Sequence, residues 1–365
     1  MNSSPLFTPG RIRHVALKNR LVVAPMTRVT ATIDGHATER MKTYYQDFAR
    51  GGFGLVISEG IYIDRAWSQT YAYQAGLTNS QQAAAWRSVT DAVHRQQGKI
   101  FAQIQHAGAL SQGNHHLSGT VAPAAVRPVG KQMSFYRGEG DYPLPRALNE
   151  SEILAIIDSF ADAASYAVNV AGFDGVEIHG ANGYLLDQFF TDYTNPRTDG
   201  WGGDIAARLR LSLEVIKAVR QRVGADVAVG IRISQGKVND FFHKWANGED
   251  DARTVFTLLA DAGIDYLHLT EYEAWQPAFA DNPLSLVELA RKYAPQLPLM
   301  ANGGLHDRAR AEEVLAMGAD FISLGRGALA NHDWPNRIAT GNTPREFDSA
   351  ILGPIADIKD CEVLA

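Results

Sequence analysis

Cysteine is nearly absent from this sequence of 365 residues, and the one cysteine, Cys361, lies close to the C-terminus. A single cysteine excludes an internal disulfide and a structural zinc site built from cysteine pairs, so we predict no metal. Residues 1–5 have neither the basic segment nor the apolar segment that a secretory signal needs, so none is predicted. These features are compatible with a reducing compartment, and we predict a cytoplasmic location.

Long apolar runs and clusters of one charge are also missing. No uninterrupted apolar stretch approaches the ~20 residues of a membrane-spanning helix, so we expect no membrane partner. The net charge is −6 and the basic residues are scattered, which argues against nucleic acid and anionic membranes as partners. Hydrophobic residues make up 45% and charged residues 20% of the chain, as in globular proteins with a large core.

Short apolar runs alternate with amphipathic stretches eight times, which is typical of repeated βα units. Eight such units predict a single (β/α)8 TIM barrel over residues 1–365, because a doubly wound sheet would rarely reach that number. The strands are predicted at 21–25, 54–58, 100–104, 175–178, 227–231, 266–269, 298–301 and 321–324. Helical periodicity covers 84–93, 153–168, 208–219, 255–259 and 311–315.

The connections between strands and helices are uneven. Residues 106–148, rich in glycine and proline, separate the third strand from its helix. Loops longer than ~12–15 residues are usually functional or disordered, and this one falls at the carboxyl ends of the strands, where barrel enzymes carry out catalysis. We therefore predict a capping loop, with a disordered insertion as the alternative. Residues 10–17 predict a hairpin that closes the bottom of the barrel.

Polar side chains are concentrated just after the fourth predicted strand. His179, Asn182 and Tyr184 are spaced by Gly180 and Gly183. His179 and Asn182 can each donate a hydrogen bond to one acceptor, and Tyr184 can donate a proton from another side. Such a set suits a reaction that polarises a carbonyl and then protonates a carbanion-like centre. In the structural alternative His179 caps the strand and Tyr184 begins a helix, but three convergent polar groups favour catalysis.

A phosphate site is predicted at the ends of the last two strands. Gly303 and Gly304 follow the seventh strand, and Gly325 and Arg326 follow the eighth. Barrels commonly bind phosphate at these loops through glycine N–H groups, a helix N-terminus and a cation. Arg326 would supply a charge-assisted hydrogen bond. Each motif alone is compatible with an ordinary turn, and it is their pairing that favours phosphate.

Motifs spread over nearly the whole chain share their order with one known family. They are His-x-x-Asn-Gly-Tyr-Leu-Leu-x-Gln-Phe over 179–189, Asn195-Pro196-Arg197-Thr198-Asp199, Trp201-Gly202-Gly203, and shorter ones at 6–9, 17–20 and 325–326. In this order they resemble the Old Yellow Enzyme family of flavin-dependent ene-reductases. The resemblance implies FMN as cofactor and NADPH or NADH as reductant. FMN also fits a site for one phosphate and the absence of a dinucleotide fingerprint.

The resemblance further implies which residues surround the isoalloxazine ring. They lie at the mouths of four predicted strands: Ala24, Pro25, Met26, Thr27, Gly60, Gln103 and Arg232. Thr27 would donate to flavin O4, Gln103 would contact the pyrimidine edge, and Arg232 would stabilise negative charge near N1 and O2. Ordinary hydrogen bonding at strand ends is the alternative for Thr27 and Gln103. A buried Arg232 needs an anion or a carboxylate neighbour.

The implied reaction is the reduction of an α,β-unsaturated carbonyl or a nitroalkene in two half-reactions with ping-pong kinetics. His179 and Asn182 would bind the substrate oxygen, and Tyr184 would protonate the α-carbon. The alternatives are an oxidative flavoprotein on the same scaffold and a non-catalytic flavin- or ligand-binding barrel. A flavin-free aldolase would want a lysine at a strand end, which neither Lys99 nor Lys237 provides.

Three positions limit what the resemblance implies. Thr27 occupies a position that is cysteine in one branch, so tuning by a thiol is excluded. In the branch of the family that has threonine at the position of Thr27, tryptophan usually stands at the position of Gln105. In the branch that has cysteine there, tyrosine stands at the position of Val29. Substrate range, NADH or NADPH preference and stereochemistry are therefore not predicted, and a homo-oligomer is compatible with the sequence but not indicated by it.

Overall fold

Eight apolar runs of the chain form a closed barrel of parallel strands in a computed structural model that describes residues 4–363. Each strand pairs with the next along the chain, and the eighth pairs with the first. The strands are buried on both faces, because one face fills the interior and the other lies under helices. The predicted (β/α)8 barrel is confirmed. Its strands are β1 (Leu21–Val23), β2 (Leu55–Tyr62), β3 (Lys99–Gln105), β4 (Gly175–His179), β5 (Ala228–Ser234), β6 (Tyr266–Thr270), β7 (Leu299–Asn302) and β8 (Phe321–Leu324).

Seven of the eight strands differ from the predicted bounds at one or both ends, and two of these differences have local reasons. The first strand stops two residues early, because Pro25 has no N–H to continue the ladder. The second, predicted at 54–58, continues to Tyr62 because a β-bulge between Ile57 and Gly60 lets its pairing with β3 resume. The bulge brings Gly60 to the mouth of the barrel.

Helices surround the barrel, and all five predicted helices fall on observed ones. A capping box begins α3, since Asn149 and Glu152 each accept the other's backbone N–H at 2.9 Å. The helices are α1 (Glu39–Arg50), α2 (Ser80–Arg95), α3 (Glu150–Ser165, continued by a π-helical stretch, Tyr166–Ala171), α4 (Leu185–Phe190), α5 (Ile205–Val223), α6 (Glu249–Asp261), α7 (Leu286–Tyr293), α8 (Arg308–Ala316), α9 (Arg326–Ala330) and α10 (Trp334–Ala339).

Helix α3 with its π-helical end is, within residues 4–363, the one stretch long and apolar enough by length and composition alone to cross a membrane. Its apolar face, which includes Ile153, Ile157 and Phe160, is buried in the main core. The helix packs against α5 and β3, as a barrel helix does.

The bottom of the barrel is filled by apolar side chains. They point inward from seven of the strands: Val22, Leu55, Ile57, Phe101, Ala228, Tyr266, Met300 and Phe321. The predicted hairpin is confirmed, because Gly10–Ile12 pairs antiparallel with Val15–Leu17. Ile12 and Leu17 join the apolar layer and close this end. The polar groups of the interior therefore lie towards the other end.

The segment 106–148 has fixed internal structure. Val121–Ala122 pairs with Arg146–Ala147, and short 3-10 turns form at Gly108–Leu110 and Ser134–Tyr136. The Tyr136 hydroxyl donates to the Thr27 carbonyl oxygen at 2.9 Å, which joins the segment to the mouth of β1. The remaining short elements are the strand pair Pro277–Phe279 and Asn282–Ser285 and the 3-10 turns Pro5–Phe7, Ser349–Leu352 and Asp360–Glu362.

Candidate active site

A tight bend follows β4 and places its polar residues at the mouth of the barrel. Asn182 and Gly183 both have positive φ, 63° and 88°, so they reverse the chain. Asparagine tolerates that conformation, and at position 183 only glycine fits, because a Cβ would lie 2.6 Å from Asn239 Oδ1. Gly183 N–H donates to Asp187 Oδ2 at 2.6 Å.

The bend is held by a buried ion pair. Lys237 Nζ lies 2.9 Å from Asp187 Oδ1, and both side chains are almost fully buried. Lys237 also forms a parallel bridge with Asn182. Lys237 therefore lies beyond the end of β5, as expected from the sequence, and its ammonium supports the turn.

The bend brings His179 and Tyr184 together. Their rings are in edge contact with centroids 5.1 Å apart, and both are buried. The Tyr184 hydroxyl lies 2.7 Å from the hydroxyl of Tyr71, which is also buried. Asn182 is half-buried and lines the adjoining cavity. Tyr184 is at the same time the N-cap residue of α4, so the structural alternative holds for it without excluding a catalytic role.

The protonation state of His179 suits a hydrogen-bond donor, and that of Tyr184 suits a proton donor. Burial, with the charge of Arg232 and the neighbouring His268, lowers the pKa of His179 well below its usual value, so the ring is neutral at neutral pH. His179 Nδ1 faces the Ala181 N–H at 3.4 Å as an acceptor, which assigns the ring proton to Nε2. Burial raises the pKa of Tyr184 to about 12, against the opposing effects of Tyr71 and Arg232, so its hydroxyl is protonated.

Arg232 is a buried cation with no carboxylate in salt-bridge contact among residues 4–363. Its Nη2 donates to Asn302 Oδ1 at 2.9 Å, and its Nε has no partner among the described residues. Burial lowers the pKa of Arg232 to about 10, although Glu177 and Tyr184 oppose the shift. An unpaired buried guanidinium is costly, and a bound anion or a polarised carbonyl would offset that cost.

Gln103 and Gly60 lie on neighbouring strands at the same level. Gln103 Nε2 donates to Glu177 Oε1 at 2.8 Å, and this bond leaves the amide oxygen available to a ligand. Gly60 has no room for a side chain, because a Cβ would lie 1.9 Å from Gln105 Oε1. Gln105 is held by a 2.7 Å hydrogen bond from its Nε2 to Thr70 Oγ1.

The segment from Ala24 to Thr27 crosses the barrel mouth between β1 and β8. Ala24 N–H donates to the Leu324 carbonyl at 2.9 Å, and Pro25, Met26 and Thr27 are half-buried. Met26 Sδ would lie 3.9 Å from a Cβ at Gly325, so this segment adjoins the loop after β8.

A cavity of about 720 Å³ opens at the ends of β7 and β8. Asn182, Gly303, Gly304, Gly325 and Arg326 are the predicted residues that line it. The other predicted residues are not in its wall and lie in the adjacent barrel mouth: Ala24, Pro25, Met26, Thr27, Gly60, Gln103, His179, Tyr184 and Arg232. The Arg232–Asn302 hydrogen bond joins the two regions.

The cavity has features that fit a phosphate. Gly303 and Gly304 have φ of 135° and 67°, and a Cβ at Gly303 would lie 2.2 Å from the Glu271 carbonyl oxygen. The Ser323 hydroxyl, buried in the wall, has no partner among the described residues, and Arg326 is exposed at the rim. Together with the unpaired Arg232 guanidinium, these groups fit a flavin ring with a phosphate tail.

Several residues of the site were not predicted. Glu177 and His268 lie beside Gln103 and Arg232 on neighbouring strands, Tyr71 contacts Tyr184, and Arg28 anchors the segment after Thr27. For Glu177 a signal was present, because a carboxylate between Val176 and Ile178 in a buried strand has to be paired. Tyr71 lies in an irregular segment that carried no such signal.

Comparison with known proteins identifies related chains. The model of the NADH:flavin oxidoreductase / NADH oxidase family matches residues 5–344. The chain is 36% identical over 363 residues to chanoclavine-I aldehyde reductase of Penicillium roqueforti, covering 94% of this chain and 92% of that protein. It is 36% identical over 355 residues to a probable flavin mononucleotide-dependent alkene reductase of Leishmania infantum, covering 95% and 92%. A 34% identical NADH oxidase of Thermoanaerobacter brockii is longer, and the match covers 96% of this chain and 53% of that protein.

Solved structures agree with this result. An Old Yellow Enzyme homologue from Zymomonas mobilis superposes with a TM-score of 0.87 at 32% identity, covering 98% of both chains. Morphinone reductase in complex with tetrahydroNAD superposes with a TM-score of 0.83 at 32% identity, covering 95% of this chain and 93% of that one.

Proposed function

Because this chain belongs to the NADH:flavin oxidoreductase / NADH oxidase family, the Old Yellow Enzyme family that its motifs predict, we propose that it is an ene-reductase. Membership makes it an oxidoreductase that uses FMN and a nicotinamide reductant. Its substrates in this proposal are α,β-unsaturated carbonyls or nitroalkenes, whose activated C=C bond is reduced. The observation that carries the proposal is the contact of neutral His179 with protonated Tyr184 beside the unpaired cation Arg232.

Two groups of residues would hold FMN. Gly303, Gly304 and Arg326, with the free hydroxyl of Ser323, would bind the phosphate. Around the ring, Ala24, Pro25, Met26, Thr27, Gly60, Gln103 and Arg232 would provide the contacts. The chemistry that bound FMN supplies is the transfer of hydride from NAD(P)H to the β-carbon of the substrate.

The substrate oxygen would lie between His179 and Asn182. The proton on His179 Nε2 and the side-chain amide of Asn182 are donors, and negative charge develops on this oxygen as hydride reaches the β-carbon. Donors that are fixed before reaction and shielded from water stabilise such charge, and losing one typically costs ~10²–10³-fold in rate. The backbone N–H of Asn182, bonded to Ser234 Oγ at 2.9 Å, helps to fix its position.

Tyr184 would deliver the proton to the α-carbon. Its hydroxyl is neutral and within hydrogen-bond distance of Tyr71, which could return the proton after each turnover. The reductant and the alkene would use the same site in turn, because the residues of the site converge on one opening of the barrel. That shared site would give ping-pong kinetics.

The test is a titration of the purified flavoprotein under anaerobic conditions. NADPH or NADH should bleach the flavin absorbance, and cyclohexenone or a nitroalkene should restore it with formation of the saturated product. His179→Ala and Asn182→Ala should keep flavin but weaken binding of phenols, whose oxygen resembles the polarised carbonyl. If no activated alkene reoxidises the reduced flavin, the proposed substrate class is refuted. Full phenol affinity in both variants would show that the two donors are structural.

A further inference from the structure

Glu177 is a fully buried carboxylate in the middle of β4, between the apolar floor and the barrel mouth. Its Oε2 lies 2.8 Å from His268 Nδ1 and accepts the Tyr266 hydroxyl at 3.1 Å. Its Oε1 accepts Gln103 Nε2 at 2.8 Å. The carboxylate is therefore held on both oxygens by side chains of β3 and β6.

The charges of this layer nearly balance. Burial opposes ionisation of Glu177, but the hydrogen bonds from His268 and Gln103 and the charge of Arg232 outweigh it and leave the pKa of the carboxyl below its usual value. Burial lowers the pKa of His268, so the imidazole is neutral at neutral pH. The result is one carboxylate, one guanidinium and a neutral imidazole, with net charge near zero.

Glu177 also determines how Gln103 is oriented. A carboxylate accepts hydrogen bonds and cannot donate them, so the amide must present its NH₂ group to Glu177. The amide oxygen is then directed away from the carboxylate, where it can accept a hydrogen bond from a ligand. Arg232 interacts with Glu177 electrostatically but forms no direct ion pair with it. The Nε of Arg232 has no hydrogen-bond partner among the described residues.

We propose that Glu177 is a positioning residue for the flavin, which orients the Gln103 amide and offsets the charge of Arg232. This inference rests on the proposed placement of the ring beside Gln103 and Arg232. Reduction adds two electrons and one proton to the flavin, while NAD(P)H is oxidised to NAD(P)⁺, and the ring gains one negative charge. The carboxylate opposes that gain of charge, so it holds the flavin potential below the value that Arg232 alone would give.

Glu177→Gln tests the charge while preserving the shape of the side chain. For charges within ~10 Å at an effective dielectric constant of ~20, loss of the carboxylate should favour reduced flavin about tenfold. For this two-electron couple, tenfold corresponds to a potential more positive by about 30 mV. The potential is measured on the holoenzyme against a reference dye without any alkene, so a failure of alkene reduction does not affect the result.

Asp174→Asn is the matched control. Asp174 is a carboxylate at the bottom of the barrel, where it accepts the Ile100 N–H at 2.9 Å and pairs with His94 and Lys99. Its loss should leave the flavin potential unchanged. An unchanged potential in Glu177→Gln would overturn the inference. Arg232→Gln tests separately whether the flavin ring lies beside Arg232. If it does, this substitution should lower the flavin potential or cause loss of FMN.

His268→Gln keeps the inference testable if Glu177→Gln does not fold. His268 faces Glu177 from β4, Arg232 from β5 and Met300 from β7, with His179 nearby. Because burial lowers the pKa of His268, its imidazole gains a positive charge beside the carboxylate only at acidic pH. As the pH is lowered into the acidic range, the flavin potential of the wild-type protein should therefore rise more steeply than that of His268→Gln. Equal slopes of flavin potential against pH in the wild-type protein and in His268→Gln would contradict the inference.

Discussion

A buried ion pair next to Thr27 joins the segment 24–27 at the barrel mouth to the C-terminal residues. The side chain of Arg28, which follows Thr27, is fully buried and bonds both oxygens of Glu362, with Nη2–Oε2 at 2.6 Å. Its Nε and Nη2 also donate to the carbonyl oxygens of Ala356 and Asp357, at 3.1 and 2.7 Å. We expect Glu362→Gln to release the C-terminal segment 355–362 from the barrel mouth.

The expected magnitude follows from burial. Removing one partner of a buried ion pair typically costs ~3–5 kcal/mol, because the other charge stays buried without compensation. The backbone carbonyls that still bond Arg28 place the cost near the lower end of that range. Asp360→Asn is the control, because its pair with Arg40 is exposed on both side chains and pairs of that kind contribute ~0–1 kcal/mol.

Hydrogen exchange measures the effect locally. Ala356 N–H donates to the Phe135 carbonyl, and Ile358 N–H donates to Thr30 Oγ1 at 2.9 Å, so both amides report opening of the segment. Their protection should fall by ~10²-fold or more in Glu362→Gln and by less than ~10-fold in Asp360→Asn. Equal protection in both variants would refute the reasoning.

Three further predictions concern the cofactor, the bend and acid stability. Arg326→Ala should weaken FMN binding by ~1.5–3 kcal/mol, measured by fluorescence of released flavin, if a charge-assisted phosphate contact is lost. Lys237→Met leaves Asp187 buried without its cation, so the free energy of unfolding should fall by ~3–5 kcal/mol and alkene turnover should drop while flavin still binds. Burial lowers the pKa of His106, and likewise the pKa of His179 and of His268, below the unfolded value near ~6.5. The unfolded state therefore binds more protons below about pH 6.5, and the free energy of unfolding should decrease as pH falls from there. Urea midpoints across pH would check this, with a flatter profile expected for His106→Gln.

The barrel could be predicted because its signal is local and repeated. Each apolar run is bounded by turn residues, and the eight runs needed no knowledge of distant contacts. Two of the errors in the strand bounds arose where a local event changed the ladder, at Pro25 and at the bulge before Gly60. The hairpin at 10–17 was predictable for the same reason, since its two strands adjoin in the chain.

In the candidate site, too, residues that follow a local pattern were predictable, and residues joined by contacts between distant parts of the chain were not. His179 and Tyr184 are close in sequence, and the glycines after β7 and β8 follow from a rule about strand ends. Glu177 bonds His268 91 residues away, and Arg28 bonds Glu362 334 residues away, so neither pair leaves a local pattern. Gln105 filling the space beside Gly60 is likewise a matter of packing between strands.

The most direct test of the proposed mechanism is the rate of each half-reaction in Tyr184→Phe. The substitution removes the hydroxyl and keeps the ring contact with His179, and Tyr71→Phe controls for loss of the 2.7 Å hydrogen bond between the two tyrosines. In stopped-flow measurements, flavin reduction by NAD(P)H should be nearly unchanged in Tyr184→Phe. Reoxidation by cyclohexenone should slow by ~10²–10⁴-fold, and by much less in Tyr71→Phe. Normal reoxidation with slowed flavin reduction would contradict the assignment of Tyr184 as the proton donor.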